Sequence, residues 1–302
     1  MFGATIAGML ALSSVVALAA TLVPQDVPKT LRALAAKGGS LHSSVESIGK
    51  SRGGREIVAF SVSKQEDAEL ERPAILLVAG FDGLRKIDTE LALHHCQQLV
   101  ADAAAGDEAT LDLLENCTVW VIPQLNPDGF ALGRHGNASP LDLDRDGKPD
   151  EDGPSDVDGD GVVAHMRWKD RGGEFVIDED EPRLLRKPDE DEHPEADQRY
   201  HYAIEARDLD GDEQRGEDDK QGIWIDRSFP HRWDEFDRRT GPFPSSEPET
   251  TALMDFVYAR RNLVMAFVWG RDDNLLETPK VAKPKPRIHN EGIVEGLSLI
   301  HI

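Results

Sequence analysis

The sequence predicts an α/β protein: a three-layer α/β/α arrangement around a mixed, mostly parallel sheet, interrupted by a long acidic loop insertion. Three observations carry this. Uncharged runs of strand length recur at Ala74–Ala79, Val119–Ile122 and Leu263–Trp269, and continuous apolar strands belong to sheets covered on both faces. Helix-period segments alternate with them, one following residue 88 and one following residue 246. The chain has 302 residues at 39% hydrophobic content, enough for one large core.

Taken in order, Met1–Ala20 is an apolar run ending in Ala17-Leu18-Ala19, a small-x-small pattern that suits signal peptidase, so the chain is expected to be exported to the periplasm or beyond. An uncleaved anchor is the alternative, because ~20 apolar residues also span a bilayer. No other stretch is apolar enough to cross a membrane. Residues 30–276 then read as the folded domain, with the insertion at 142–220. Leu31–Ala36 is helix-like, and Arg55–Ser63 alternates as a strand. After the strand Ala74–Ala79 and its loop, Asp88 or Thr89 opens a helix whose apolar stripe is Leu91, Ala92, His95, Cys96, Leu99 and Val100. That stripe makes His95 a core histidine rather than a ligand. Cys96 and Cys117 read as unpaired core thiols, with a disulfide between them in an oxidising compartment as the alternative.

The next strand, Val119–Ile122, is stopped by Pro123, and Asn126-Pro127-Asp128-Gly129 follows as a tight turn. Loops at the carboxyl ends of buried strands are where open α/β sheets place ligands, so this turn is the rim of a site. Beyond the insertion lie the apolar Ile223-Trp224-Ile225 and a helix with a capping box at Ser246 and Glu249, Pro248 in its first turn and an inner face of Leu253, Phe256 and Val257. Leu263–Trp269 is read as another buried strand. Residues 277–302 are Pro- and Lys-rich and read as linker or tail.

Four ordered stretches resemble the carboxypeptidase A/B-type zinc metallocarboxypeptidase family. They are Ile48-Gly49-Lys50-Ser51 continuing to Gly53-Gly54-Arg55-Glu56-Ile57; Pro123 with Asn126-Pro127-Asp128-Gly129; Ile225-Asp226-Arg227-Ser228-Phe229-Pro230; and Ser246-Glu247-Pro248-Glu249-Thr250. The resemblance implies an α/β/α peptidase fold with one zinc, held by a His-x-x-Glu pair just after the strand at 74–79 and by a histidine ending a later strand. Two imidazoles and a carboxylate leave zinc an open position for an activated water. The matching positions here read Asp82-x-x-Arg85, with Trp269 or Gly270 at the third. Asp82 is the one surviving donor, because an arginine is a fixed cation and tryptophan offers the metal no lone pair. The general-base glutamate of the family has no counterpart in a strand pattern before Ile302. Arg227 matches the arginine that clamps a peptide's C-terminal carboxylate, with Asp226 where asparagine is usual. Arg134 matches the carbonyl-polarising arginine or, alternatively, pairs with the acidic insertion.

The formal net charge is −23, and roughly half of the 57 acidic residues lie in the insertion. Such a chain repels nucleic acid and anionic lipid. Within the insertion Asp142-Asp144-Asp146, Asp156-Asp158-Asp160 and Asp208-Asp210-Asp212 repeat the opening of a calcium loop, alternate carboxylates around a bend. None has a glutamate at the twelfth place, so these are not EF-hands. Calcium is the expected cofactor, and zinc is implied only by the resemblance. The reading is an exported carboxypeptidase-like protein that binds peptide or cell-wall peptide C-termini without a working zinc site. The alternatives are a calcium-dependent structural or adhesion module, or a hydrolase using a non-standard metal at Asp82.

Overall fold

A computed structural model describes residues 26–64, 72–142, 147–149, 153–209, 216, 220–231 and 233–270. The expected export segment, the tail from 277 and four of the aspartates (Asp144, Asp146, Asp210 and Asp212) lie outside the described residues. The chain divides into two compact units, Met1–Ser139 with Gln221–Ile302, and Pro140–Lys220.

The first unit is built on a five-stranded sheet. Its elements are α1 (Val27–Ala35), β1 (His42–Lys50), β2 (Glu56–Ser63), β3 (Ala74–Val78), α2 (Lys86–Ala105), α3 (Glu108–Asn116), β4 (Thr118–Ile122), α4 (Pro127–Leu132), α5 (Pro248–Ala259) and β9 (Leu263–Val268). The strand order is β1-β2-β4-β3-β9. β1, β2 and β4 pair antiparallel, whereas β4, β3 and β9 run parallel, so the carboxyl ends of those three strands emerge together. Successive residues alternate between faces. Leu77, Val119 and Val121 join α1, α2 and α3 in one core, and Leu76, Val78, Trp120 and Ile122 join Leu253 and Phe256 of α5 in the other. The result is three layers, in which each fully buried Leu, Ile, Val or Phe contributes about 1.5–3 kcal/mol.

Several local expectations are corrected. α2 begins at Lys86, two residues before Asp88, because Arg85 and Asp88 pair across the first turn and bury Asp88 instead of leaving it as the cap. Leu91 is 46% exposed, and Leu93 takes its place on the buried stripe. The capping box at Ser246 does not form. Glu247 is the cap residue and makes no side-chain cap bond, while the Glu249 carboxylate accepts from the Arg52 amide at 2.9 Å and from Asn137 Nδ2 at 3.1 Å. Burial outweighs those bonds and pushes the Glu249 carboxyl above its usual range. Val257 borders solvent at 36% exposure.

β9 is apolar but not buried. Val264 and Val268 are 68% and 62% exposed, because among the described residues the strand pairs only with β3 and little covers its faces. Polar β1, half exposed along its length, carries no apolar alternation and is not legible as a strand. Both cysteines are free; Cys96 is buried, which pushes its thiol up, and Cys117 is half-buried.

Two glycines in the hairpin region answer to close approach. A Cβ at Gly49 would lie 2.8 Å from Ala252 Cβ of α5, and one at Gly53 would lie 2.6 Å from Asp128 Oδ1. Asp128 is fully buried. It accepts from Ser51 Oγ at 2.8 Å, Gly53 N at 2.7 Å and Arg55 Nη1 at 2.6 Å, and so fastens the β1–β2 turn to the start of α4.

The second unit carries two small antiparallel sheets, β5 (His165–Lys169) with β8 (Tyr200–Ile204) and β6 (Val176–Ile177) with β7 (Leu185–Arg186). It is therefore more ordered than the loop its charge suggests.

The expected tight reversal at 126–129 is the first turn of α4. Asn126 caps it by accepting from Gly129 N at 2.9 Å. The same carboxamide, buried, donates to the carbonyls of Phe81 and His135 at 3.0 Å each. Asn126→Asp would turn those two donors into an anionic acceptor facing two carbonyls. The expected loss is about 3 kcal/mol or more of unfolding free energy, seen as a lower urea midpoint with an unchanged denaturant slope.

Candidate functional site

The loop after β3 and the segment after β4 are zipped backbone to backbone. Leu125 N donates to Ala79 O at 3.0 Å and Asn126 N to Gly80 O at 2.8 Å. With the Asn126 carboxamide holding both segments, Asp82 and His135 come side by side. The imidazole Nδ1 lies 3.0 and 2.9 Å from the two Asp82 carboxylate oxygens, and Oδ1 also accepts from Leu84 N at 2.9 Å. The Asp82 side chain is 12% exposed and that of His135 34%. Asp82 is acceptor-only when ionised, so Nδ1 carries the proton, and Nε2 is the remaining polar atom of the ring. It makes no hydrogen bond among the described residues, and the ring that carries it is partly exposed.

A second strip of chain lies beside this pair. Gly136 N donates to Gln221 O and Asn137 N to Ile223 O, both at 2.9 Å. Trp224 thereby reaches the His135 ring, with centroids 5.2 Å apart and planes at 43°. Residues Ile225–Arg227, which begin where the apolar Ile223-Trp224-Ile225 ends, form a 3-10 turn. It brings the Arg227 guanidinium 4.3 Å above the Trp224 ring, with Arg239 at 5.6 Å from the same ring. Asp237 Oδ2 accepts from Arg227 Nη1 at 2.9 Å and leaves the arginine half-exposed. An imidazole and two guanidiniums thus gather around one indole, a lining suited to carboxylate ligands.

The other expected site residues sit as follows. Arg134 donates to the Asn137 carbonyl in the loop after α4. Asp226 faces solvent. Arg85 is held bidentately by Asp88, with Nε–Oδ2 at 3.0 Å and Nη2–Oδ1 at 3.2 Å. Burial raises the Asp88 carboxyl against the lowering pull of that guanidinium. Trp269 extends the parallel pairing through its amide, which donates to Val78 O at 2.9 Å, and its ring packs edge-on against half-buried His95 at 6.3 Å. Desolvation lowers the His95 pKa.

These three positions do not fit zinc. Asp82 spends both oxygens on His135, Arg85 is a cation bound to a carboxylate, and an indole is no ligand. His135 was missed in the sequence because its partner lies 53 residues upstream. Its one signal was its place just after the turn at 126–129.

In the second unit the only described group of three or more potential ligands is Asp156, Asp158 and Asp160, whose donor atoms lie within 4.8 Å of one another. These carboxylates already accept loop amides. Asp156 takes Gly159 N at 2.6 Å and Gly161 N at 2.8 Å, Asp158 takes Asp160 N at 3.0 Å, and Asp160 takes Val162 N at 2.7 Å. Glu205 binds the same loop from outside, accepting from Val157 N at 2.6 Å and from Ala164 N at 3.1 Å. Asp142 accepts from Gly147 N at 3.2 Å, and half-buried Asp208 stands apart from the cluster of three. Nothing besides the cluster itself points to a cation, so the calcium expectation gains no support here.

The profile of the family described as zinc carboxypeptidase matches residues 29–279. Carboxypeptidase SOL1 of Arabidopsis thaliana is 30% identical over 104 residues, 34% of this chain and 21% of that protein. Carboxypeptidase Z of Homo sapiens is 29% identical over 112 residues, covering 33% and 17%. Among solved structures, carboxypeptidase A from Helicoverpa armigera superposes with a TM-score of 0.46 at 17% identity, covering 79% of this chain and 42% of that one. The chain thus spans less than half of that solved relative, and the matched segments about a fifth of the two curated ones.

The loop 156–164 makes a pH test available. Amide donors, those of Gly161 and Gly159 foremost, hold the Asp156 carboxyl below its usual range, and those of Ala164 and Val157 do the same for Glu205. Groups depressed in the fold add stability that is complete above the unfolded carboxylate pKa and lost as pH falls through the folded values. Hydrogen exchange of the amides at 157–164, corrected for intrinsic rates, should accelerate on acidification below about pH 4. Protection that survives to about pH 2 would contradict this account.

Proposed function

From the chain's membership of the zinc carboxypeptidase family, we propose an exported protein that binds the C-termini of peptides, cell-wall peptides included, and does not hydrolyse them. The observation that carries this reading is the internal pairing at the metal-ligand positions, Asp82 with His135 and Arg85 with Asp88, together with the half-exposed Arg227 guanidinium. Hydrolysis in the family needs a metal-activated water, and this donor set offers a divalent ion one carboxylate next to a guanidinium. Carboxylate recognition needs only a planar donor in a half-dry setting, which Arg227 supplies. Asp237 occupies one of its five N–H groups, so a two-pronged contact remains available.

Export is part of the reading through the apolar run Met1–Ala20. Among the described residues no helix is long and apolar enough to cross a membrane.

Calorimetric titration of the purified chain with acetyl-trialanine and with its C-terminal amide tests the proposal. The free acid should bind at least tenfold tighter, the magnitude of a charge-assisted pair, and Arg227→Ala should erase the difference. Equal binding of acid and amide would sink carboxylate recognition. Chelator-sensitive release of alanine in the presence of one equivalent of zinc would sink the non-hydrolytic part.

A further inference from the structure

We infer that His135, oriented by Asp82, is a specificity-determining residue of this cleft and accepts the N–H of the last peptide bond of a bound C-terminus. This rests on the proposed recognition of peptide carboxylates and adds a second contact to it. Three features of the site support it.

The first is the fixed tautomer. Both Asp82 oxygens lie within 3.0 Å of Nδ1. The neutral ring then has its proton on Nδ1 and its lone pair on Nε2. The second is access. The His135 side chain is 34% exposed and its Nε2 makes no hydrogen bond among the described residues, whereas Asp82 is mostly buried. An imidazole anchored on one nitrogen and bare on the other is an acceptor held ready for a donor from outside.

The third is reach. The Trp224 ring is 5.2 Å from the imidazole and 4.3 Å from the Arg227 guanidinium, so both polar groups border the same indole. In a peptide, the nitrogen of the last residue is two bonds, about 2.5 Å, from its carboxylate carbon. With hydrogen bonds of about 2.9 Å at each end, one terminal residue would bridge two groups that border a single indole. The ligand class is accordingly a free carboxylate with an N–H on the adjacent carbon. Esters of hydroxy acids present an oxygen there and would set lone pair against lone pair.

The experiment compares acetyl-trialanine with its depsipeptide, acetyl-dialanyl-lactate, in which that single N–H is replaced by oxygen. Both are titrated at about pH 8, above the ordinary imidazole range. The wild-type chain should prefer the amide roughly tenfold. In His135→Ala the preference should fall to near unity, and in Asp82→Asn, which leaves the ring unoriented, it should shrink. Because the readout is a ratio within each variant, partial loss of folded protein does not imitate the result. Equal affinity of the two ligands for the wild type, or a ratio unchanged in His135→Ala, overturns the inference while leaving carboxylate recognition standing. Failure to bind either ligand overturns both.

Discussion

The Asn126 carboxamide is the constraint on which the site depends. One buried side chain caps α4 through its oxygen and, through its nitrogen, ties down the carbonyls of Phe81 and His135. A buried donor of this kind leaves its neighbours little freedom, because each unmade bond costs the full desolvation of the group left behind. The residue after Phe81 is Asp82, so satisfying one amide is enough to set a carboxylate and an imidazole together. Asp128 does for the β1–β2 turn what Asn126 does for the rim, and the two positions are separated only by the proline that starts the helix.

Where relatives gather donors around a cation, this chain cancels its charges in pairs. Asp82 is met by an imidazole, Arg85 by Asp88, and Arg227 by Asp237. Each pair is partly buried, and removing a single member would leave an uncompensated charge. The charges at these positions are therefore compensated by the chain's own residues. The same reasoning applies to a second group of carboxylates in the first unit. Glu247 and Glu249 are both buried, and Asn137 donates to the two carboxylates while the Arg52 guanidinium answers Glu247.

What could be seen in the sequence was what local chemistry determines. Strands β2, β3 and β4 announce themselves through apolar runs, and Asn126-Pro127-Asp128-Gly129 through its turn residues. Elements decided at long range were missed or misplaced. Glu249 looked like half of a capping box because Ser246 stands three residues before it, but its carboxylate is claimed by Arg52, 197 residues away. α2 starts early because Arg85 draws Asp88 inward. The polar β1 earns its place as an edge strand by pairing with β2 rather than by any pattern of its own. His135 had no motif spacing to recommend it, and only the fold brings its partner near. The unfitness of Arg85 and Trp269 as ligands, by contrast, needs no fold to be seen, because a guanidinium or an indole fails as a ligand in any conformation.

The exposure of β9 bears on how the protein behaves in a test tube. Its six residues contain no charge and no proline, the usual guards against sticking strand to strand. Colloidal dispersion then falls to the net charge of −23, a long-range repulsion that dissolved salt weakens beyond about 8 Å at physiological ionic strength. Ionic strength, more than temperature, would be the variable to watch when keeping the chain in solution at high concentration.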